Sequence, residues 1–181
     1  MEEAKKRDND LARRAVEGDK DAFGKLFETY ASPVYRFVYF RVGSRETAED
    51  IASQTFEKAL KGLNGFDGKN SFKTWLFTIA RNTVIDYYRS RKNIFSIDEL
   101  EDVFPGADDL MKETEVGDDA KRLLKGLDKL KNEWKRIVEY KYIFELDNDE
   151  IAYMTGLTKG NIRVILTRAV KKLKQLFRSE K

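Results

Sequence analysis

The stretch DNDEIAYMTGLTKGNIRVILTRAVKKLKQLF, residues 147–177, carries the plainest helix signals in this sequence. Asp147 and Glu150 form a D-x-x-E pattern, in which each side chain can accept a hydrogen bond from the other residue's backbone N–H at a helix start. Gly156 predicts a tight turn after this short helix, and Thr158 can cap a second, longer helix. Two helices joined by a glycine turn are typical of the helix-turn-helix motif.

The second of these helices is predicted to have an apolar face and a basic face. Its apolar residues recur at spacings of three or four, which predicts a buried stripe of Ile162, Leu166, Ala169, Leu173 and Leu176. In a DNA-binding motif, residues 159–164 would enter the major groove and the basic remainder would contact phosphate. The residues assigned to this contact are Thr158, Lys159, Gly160, Asn161, Arg163, Val164, Thr167, Arg168 and Lys171. A helical protein-binding module with a solvated basic face is the alternative.

Charge is distributed unevenly along the chain. Residues 1–92 carry 18 basic and 14 acidic side chains, residues 93–119 carry 1 and 10, and residues 120–181 carry 16 and 8. The acidic segment contains Pro105 and two glycines and lacks a sustained helical period, so it is predicted to be a flexible linker. Such a tether mimics nucleic acid inside a basic channel, shields the basic blocks from non-specific binding, or is simply a solvated connector.

Composition excludes several classes of function. The 181 residues include no histidine and no cysteine, which removes disulfides, thiolate nucleophiles, Cys/His zinc sites and imidazole catalysis. We therefore expect a non-enzyme with no catalytic residue, no metal, no other cofactor and no small-molecule substrate. The N-terminus lacks the apolar core of a signal peptide, and no apolar run approaches the ~20 residues of a membrane span. A cytoplasmic protein without membrane insertion is expected.

Signals for the starts and ends of helices divide the region before residue 62 into four predicted helices. Glycines predict helix ends at Gly18 and Gly43. The predicted N-caps are Asp19, Ser32, with Pro33 at the first helical position, and Ser44. The last helix runs to about Lys61 and should bury Ala48, Ile51, Ala52, Thr55, Phe56, Ala59 and Leu60. Its opposite face is polar and largely acidic and carries Glu46, Glu49, Asp50, Ser53, Gln54, Glu57 and Lys58.

A glycine-rich loop, residues 62–71, precedes the helix FKTWLFTIARNTVIDYYRSRK, residues 72–92. The loop is either a plain connection or a place where backbone closely approaches a ligand. Helical spacing predicts a core of Phe72, Trp75, Leu76, Ile79 and Thr83 and an exposed side of Arg81, Tyr88, Arg89, Arg91 and Lys92. Aromatic rings interleaved with cations suit single-stranded nucleic acid, because rings stack on bases while cations follow phosphates.

These segments together resemble a known family, the extracytoplasmic function (ECF) sigma factors of the sigma-70 family. The second conserved region of that family is similar to LARRAVEGDKDAFGKLFETY, AEDIASQTFEKAL and FKTWLFTIARNTVIDYYR, and its fourth region is similar to DNDEIAYMTGLTKGNIRVILTRAVKKL. The resemblance covers about residues 10–92 and 122–177. Its specific part is a W-L-x-x-I-A-x-N-x-x-x-D signature, from Trp75 to Asp86, followed in order by E-I-A…G-x-x-R-x-x-L-x-R-A.

The resemblance implies an all-α fold with two small helical domains joined by an acidic flexible linker. Residues 1–92 would be a region 2-like domain, residues 93–119 the linker, and residues 120–181 a region 4-like helix-turn-helix domain. The protein would be an alternative sigma factor that binds core RNA polymerase and directs promoter-specific initiation. Its implied partners are the β′ clamp helices and the β flap of polymerase, promoter DNA, and an anti-sigma factor as a further candidate.

The resemblance also implies roles for particular residues. Docking on the polymerase clamp is implied for Glu49, Asp50, Ser53, Gln54 and Glu57. Recognition of the melted −10 element is implied for Asn64, Phe66, Lys69, Ser71, Phe72, Trp75, Asn82 and Arg89. The −35 element would be read as duplex by the nine helix-turn-helix residues named above.

The chain departs from the usual family pattern in four places. Ser53-Gln54 replaces Gln-Glu, Gly160-Asn161-Ile162 replaces Gly-Thr-Val, Ile165 replaces a frequent basic residue, and Leu130-Lys131 replaces Leu-Pro. Two other functions are weighed against a sigma factor. A stand-alone helix-turn-helix regulator would use the N-terminal block for dimerisation. A carboxylate-dependent hydrolase is disfavoured, because most clustered acids lie in a flexible linker that cannot hold them at a fixed separation.

Overall fold

The computed structural model describes residues 2–92 and 118–179, and every regular element within these two ranges is helical. The chain divides into two compact units, Met1–Leu100 and Glu101–Lys181. The expected all-α fold with two small domains is therefore confirmed. Within the described ranges no helix is long and apolar enough to cross a membrane.

The predicted linker, residues 93–119, lies outside the described residues except at its end. Asp118 and Asp119 already belong to a helix that continues to Asp128. The second helical region therefore begins two residues before the predicted boundary at residue 120. Acidic residues are favoured in the first turn of a helix, where they complement the positive end of its dipole.

The first unit contains four α-helices, and most of their ends lie where the sequence predicts them. They are α1 Glu2–Val16, α2 Lys20–Val42, α3 Arg45–Gly62 and α4 Phe72–Lys92, with a 3₁₀ turn at Leu63–Gly65. Asp19 accepts a hydrogen bond from the Ala22 backbone N–H at 3.1 Å, and Ser44 accepts one from Thr47 at 3.4 Å. Gly43 ends α2 in the left-handed conformation, at φ 69°. These predicted caps are confirmed.

The predicted break at Ser32-Pro33 is wrong, because α2 continues through Pro33. A proline inside a helix removes one backbone hydrogen bond and costs about 3 kcal/mol. The apolar stripe of α2 nevertheless stays in phase across this point, and Leu26, Val34 and Phe37 are all buried. Each buried side chain of this size contributes roughly 1.5–3 kcal/mol, so packing on both sides of Pro33 outweighs its local cost.

Two further core assignments in the first unit are corrected. Leu60 is 55% exposed, because at 100° per residue it lies about 40° beyond Phe56, past the edge of the buried stripe of α3. Tyr88, predicted on the exposed side of α4, is buried and its hydroxyl donates to the Arg41 carbonyl at 2.6 Å. Burial raises the pKa of Tyr88 to about 12. Trp75 and Ile79, predicted in the core, are half-buried.

The second unit contains four further α-helices among its described residues. They are α5 Asp118–Asp128, α6 Asn132–Val138, α7 Asn148–Thr155 and α8 Lys159–Ser179, and a π turn at Glu139–Ile143 extends α6. The largest fully buried side chains come from α5, α6, the segment after it and α7: Leu127, Ile137, Tyr140, Leu146 and Ile151. The apolar stripe of α8 packs on this core, which leaves its opposite face in solvent.

Gly126 of α5 is expected to tolerate no large side chain, because α8 packs directly over it. A Cβ atom at this position would lie 3.0 Å from two ring carbons of Phe177 and 3.3 Å from Leu173. Gly126→Leu should therefore lower the free energy of unfolding by about 1–3 kcal/mol, as overpacking does. Urea denaturation measures this when it is followed by Trp134 fluorescence in a Trp75→Phe background.

The matched control is Gly160→Leu in α8. A Cβ atom there would meet only the Thr158 hydroxyl, at 3.8 Å, and the position is exposed. This substitution should leave stability within about 0.5 kcal/mol of the parent. Equal losses at both positions would show that the contact with α8 is not the cause.

Candidate nucleic-acid and protein interfaces

The helix-turn-helix contains the caps and the glycine turn that its sequence predicts. Asp147 accepts a hydrogen bond from the Glu150 backbone N–H at 2.8 Å, and Glu150 accepts one from the Asp147 N–H at 2.9 Å. Gly156 ends α7 in the left-handed conformation, at φ 74°. The Thr158 hydroxyl accepts a hydrogen bond from the Asn161 N–H at 3.2 Å and so caps α8. The capping box, the glycine turn and the second cap are therefore all confirmed.

The exposed face of α8 contains every residue predicted to contact duplex DNA. The set Thr158, Lys159, Gly160, Asn161, Arg163, Val164, Thr167, Arg168 and Lys171 is exposed throughout. Val164, near its centre, is apolar and 47% exposed. Ile162, Leu166, Ala169 and Leu173 are buried as predicted, whereas Leu176 is half-buried. Ile165 is also buried, at 8% exposure, which suits an apolar side chain at this position.

Two residues of this face already have partners within the protein. The Lys159 ammonium pairs with Asp149 at 2.6 Å across the turn, in an exposed ion pair that contributes little stability. The Thr167 hydroxyl donates to the Arg163 carbonyl at 2.9 Å, so only its lone pairs and its methyl group remain for a base. Within the described ranges, no ion pair engages the other cations of this face, namely Arg163, Arg168, Lys171, Lys172 and Lys174.

The polar face of α3 is exposed and carries net negative charge. Glu49, Asp50, Ser53, Gln54 and Glu57, the residues predicted to dock on polymerase, all lie at the surface. The Lys61 ammonium bonds the Glu57 carboxylate at 2.5 Å and holds its pKa below the usual range. Lys58, a cation on the same face, is paired with Asp86 of α4 at 2.9 Å. A groove between α3 and α4 has Asp50 and Gln54 on one side and Asp86, Tyr87 and Arg91 on the other.

An aromatic cluster joins the glycine-rich loop to α4. The Phe66 ring lies 5.8 Å from Phe72 and 5.5 Å from Trp75, and the last two rings are 5.6 Å apart. Phe66 and Trp75 are half-buried, so both residues are partly exposed to solvent. Asn82 and Arg89 are exposed and follow Trp75 at intervals of seven residues, which places them along the same side of α4. Lys69 and Asn64 are exposed on the loop.

Two residues assigned to the −10 element lie inside the protein instead. Phe72 is fully buried in the cluster, because it also packs against Tyr30 of α2. Ser71 is buried and acts as the N-cap of α4, since its hydroxyl oxygen accepts a hydrogen bond from the Thr74 N–H at 3.0 Å. Their side chains support the loop and do not face solvent, so we leave them out of the contact surface proposed below.

One residue at this site was missed by sequence reasoning. Asn9 of α1 accepts a hydrogen bond from the Phe72 N–H at 2.7 Å and donates to the Asn70 carbonyl at 3.1 Å. Its partners are about sixty residues away in the chain. No local pattern marks such a contact, and an isolated asparagine within a helix carries no distinctive signal.

Family models place both units in one family. The model of Sigma-70 region 2 matches residues 26–94, and the model of Sigma-70, region 4 matches residues 120–173. Full-length relatives agree with this assignment. The ECF RNA polymerase sigma factor RpoE of Cereibacter sphaeroides is 31% identical over 173 residues, covering 90% of this chain and 91% of the relative. The chain therefore belongs to the ECF sigma factors of the sigma-70 family.

Two further relatives and two solved structures are also similar to this chain. The ECF sigma factor BldN of Streptomyces coelicolor is 33% identical over 93% of this chain, which spans 65% of BldN. SigW of Bacillus subtilis is 27% identical, with 92% of this chain and 94% of SigW covered. CnrH, solved with the cytosolic domain of CnrY, has the same fold, with TM-score 0.69, 24% identity and coverage of 97% and 99%. RpoE from Bartonella quintana, solved with the anti-sigma factor NepR, has TM-score 0.65 and 20% identity over 88% of this chain and 98% of that one.

Proposed function

We propose that this ECF sigma factor directs promoter choice by using two different nucleic-acid surfaces. The second unit reads the −35 element as duplex, and the first unit holds the −10 element as a melted single strand. The observation that carries the proposal is the contrast between these surfaces. One is a helix face with exposed arginines and lysines, and the other is a pair of half-buried aromatic rings beside exposed polar side chains.

The exposed face of α8 offers the chemistry that distinguishes base pairs in the major groove. Arginine pairs with the O6 and N7 acceptors of guanine, asparagine pairs with adenine, and apolar groups contact the methyl group of thymine. Arg163, Asn161 and Val164 supply one group of each kind in the first turns of the helix. Arg168, Lys171 and the lysines beyond them are assigned to phosphates, which position the helix without reading sequence.

The partly exposed rings of Phe66 and Trp75 are assigned to bases that have left the duplex. An aromatic ring contributes about 1–3 kcal/mol for each base that stacks on it. Asn82 and Arg89 continue the same side of α4 and are placed to contact the following nucleotides, and Lys69 and Asn64 lie on the loop beside the rings. One or two stacked bases do not offset the cost of opening several base pairs, so polymerase must supply the remainder.

The acidic face of α3 is assigned to the clamp helices of the polymerase β′ subunit. Glu49, Asp50 and Glu57 provide charge, while Ser53 and Gln54 provide short polar contacts. Complementary charge speeds encounter and fixes orientation at such interfaces. The β flap is proposed as a second polymerase contact. An anti-sigma factor is also a proposed partner, because the sigma factor of Bartonella quintana with this fold was solved with one.

The protein is proposed to act in the cytoplasm through binding alone, with polymerase supplying the catalysis. Core polymerase should be mixed with the chain and a pool of genomic DNA fragments, and the 5′ ends of the transcripts should be mapped. New transcripts that share a −35 and a −10 sequence are expected only when the chain is present. A chain that binds duplex DNA alone, self-associates and never co-elutes with polymerase would instead be a stand-alone regulator.

Binding of the free chain to duplex −35 DNA is expected to depend strongly on salt. With three to five of the α8 cations on phosphates, log affinity should fall against log salt with a slope of about −3 to −5. Replacing Lys171 and Lys172 by alanine should make the slope shallower by about one to two. Fluorescence anisotropy over a range of salt concentrations measures both slopes. A slope near zero would contradict the assignment of α8 to phosphates.

A further inference from the structure

Asn9 connects α1 to the glycine-rich loop through both ends of its side-chain amide. The carbonyl oxygen accepts a hydrogen bond from the Phe72 N–H at 2.7 Å, at the first residue of α4. The amide nitrogen donates to the Asn70 carbonyl at 3.1 Å, with a longer contact to the Gly68 carbonyl at 3.5 Å. One side chain therefore ties together the last turn of the loop and the start of the helix that follows.

The turn at residues 67–69 is stabilised by local contacts of its own. Asp67 accepts a hydrogen bond from the Lys69 N–H at 3.0 Å and pairs with its ammonium at 3.1 Å. Both contacts stay within three exposed residues. Gly68 adopts φ 71°, a conformation that other residues rarely take. The Asn9 contacts add hydrogen bonds from this loop to α1, beside the packing of Phe66 on Phe72 and Trp75.

Asn9 is itself held in place by its neighbour in α1. Asp8 is buried and accepts a hydrogen bond from the Tyr30 hydroxyl of α2 at 2.5 Å. Arg7 also bonds the Asp8 carboxylate, at 3.0 Å. The segment of α1 that carries Asn9 is therefore anchored to α2, and the amide reaches the loop from a fixed position.

From this geometry we infer that Asn9 is a positioning residue for single-strand capture, which rests on the function proposed above. It sets the distance between the loop and α4, and so it sets the opening between the Phe66 and Trp75 rings. The position requires an acceptor for the Phe72 N–H and a donor for the loop carbonyls on one short side chain. Asparagine meets this requirement, whereas an ionised aspartate lacks the donor.

The test compares full-length variants assembled with core polymerase. Asn9→Ala removes all of these hydrogen bonds, and Asn9→Asp keeps the acceptor but sets a carboxylate against two carbonyls. The probe is a short single-stranded DNA pool with randomised central positions, and duplex −35 DNA is the second ligand. Both variants are expected to lose about tenfold in affinity for the single strand and nothing for the duplex, because a ligand site that is no longer preorganised binds more weakly.

The stability control is Val38→Ala, which removes buried apolar packing of α2 but leaves the Asp8–Tyr30 bond and every Asn9 hydrogen bond in place. It should lower the melting temperature without changing single-strand affinity. Acrylamide quenching of Trp75, in a Trp134→Phe background, should rise in both Asn9 variants and stay unchanged in Val38→Ala.

The outcomes separate this inference from the function on which it rests. Wild-type holoenzyme that fails to hold any single strand overturns the proposed function and the inference together. Wild-type capture with unchanged affinity in Asn9→Ala, or with equal losses in Asn9→Ala and Val38→Ala, overturns the inference alone. A loss confined to the Asn9 variants and accompanied by greater Trp75 quenching supports it.

Discussion

Arg163→Glu is expected to abolish promoter binding while polymerase binding survives. Arg163 lies in the first two turns of α8, is exposed, and stands beside Val164 and Asn161 on the face assigned to the major groove. Loss of an arginine that reads a base costs about 1–3 kcal/mol, which corresponds to a fall of roughly five- to 150-fold in affinity. A carboxylate at the same position adds repulsion from nearby phosphates, so the loss should exceed the upper part of this range.

The control for Arg163→Glu makes the same change of charge elsewhere in the second unit. Lys131, at the start of α6, is exposed and lies outside the recognition helix. Lys131→Glu should weaken duplex binding only modestly, because it alters the general field and not a groove contact. Affinities for a selected promoter and for random duplex, measured side by side, separate the two effects. Equal losses in both variants would show that Arg163 contributes charge and no base contact.

Asp50→Arg is expected to lower affinity for core polymerase by at least tenfold, or about 1.4 kcal/mol. Asp50 is exposed on the polar face of α3 and does not belong to its buried stripe, so the fold should survive the change. The substitution places a cation on a surface whose other charges are mainly acidic. Reversing a charge at a complementary interface both slows encounter and adds repulsion with the partner. Competition against a labelled wild-type chain for core polymerase measures the loss.

Two control variants test whether the effect of Asp50→Arg comes from its charge and its position. Asp50→Asn removes the charge without reversing it and should cause a smaller loss than Asp50→Arg. Glu17→Arg, in the turn between α1 and α2, makes the same reversal away from α3 and should leave polymerase binding unchanged. Duplex −35 binding by free Asp50→Arg should match the parent, because the two surfaces share no residue. Intact polymerase affinity in Asp50→Arg would mean that the clamp docks on a different face.

Much of the fold follows from signals that lie within a few residues of one another. The capping box at Asp147 and Glu150, the glycine turn at Gly156 and the cap at Ser44 all join groups three or four residues apart, and each forms as predicted. The exposed face of α8 is equally local, because its helical period separates basic from apolar positions without reference to any other element. For the same reason the acidic face of α3 could be assigned from the sequence.

Other features depend on partners that are distant in the chain. Pro33 stays within α2 because buried side chains on both sides of it pack against other helices. Tyr88 is buried, and the Arg41 carbonyl, 47 residues earlier, accepts a hydrogen bond from its hydroxyl. Both were predicted wrongly, since a proline signal and an aromatic beside arginines are ambiguous until the neighbouring helices are known.

The site assigned to the −10 element shows most clearly which features are local in the sequence and which depend on tertiary packing. Its residue types, aromatic rings interleaved with polar and basic side chains, are visible in the linear sequence. Which of them face solvent is not visible there, because Phe72 and Trp75 are three residues apart on one helix, yet Phe72 packs against Tyr30 of α2 and is fully buried while Trp75 is half-buried. Asn9 reaches the loop across about sixty residues of chain. Helical period and caps are properties of neighbouring residues, whereas burial and long-range hydrogen bonds exist only once α1, α2 and α4 have packed together.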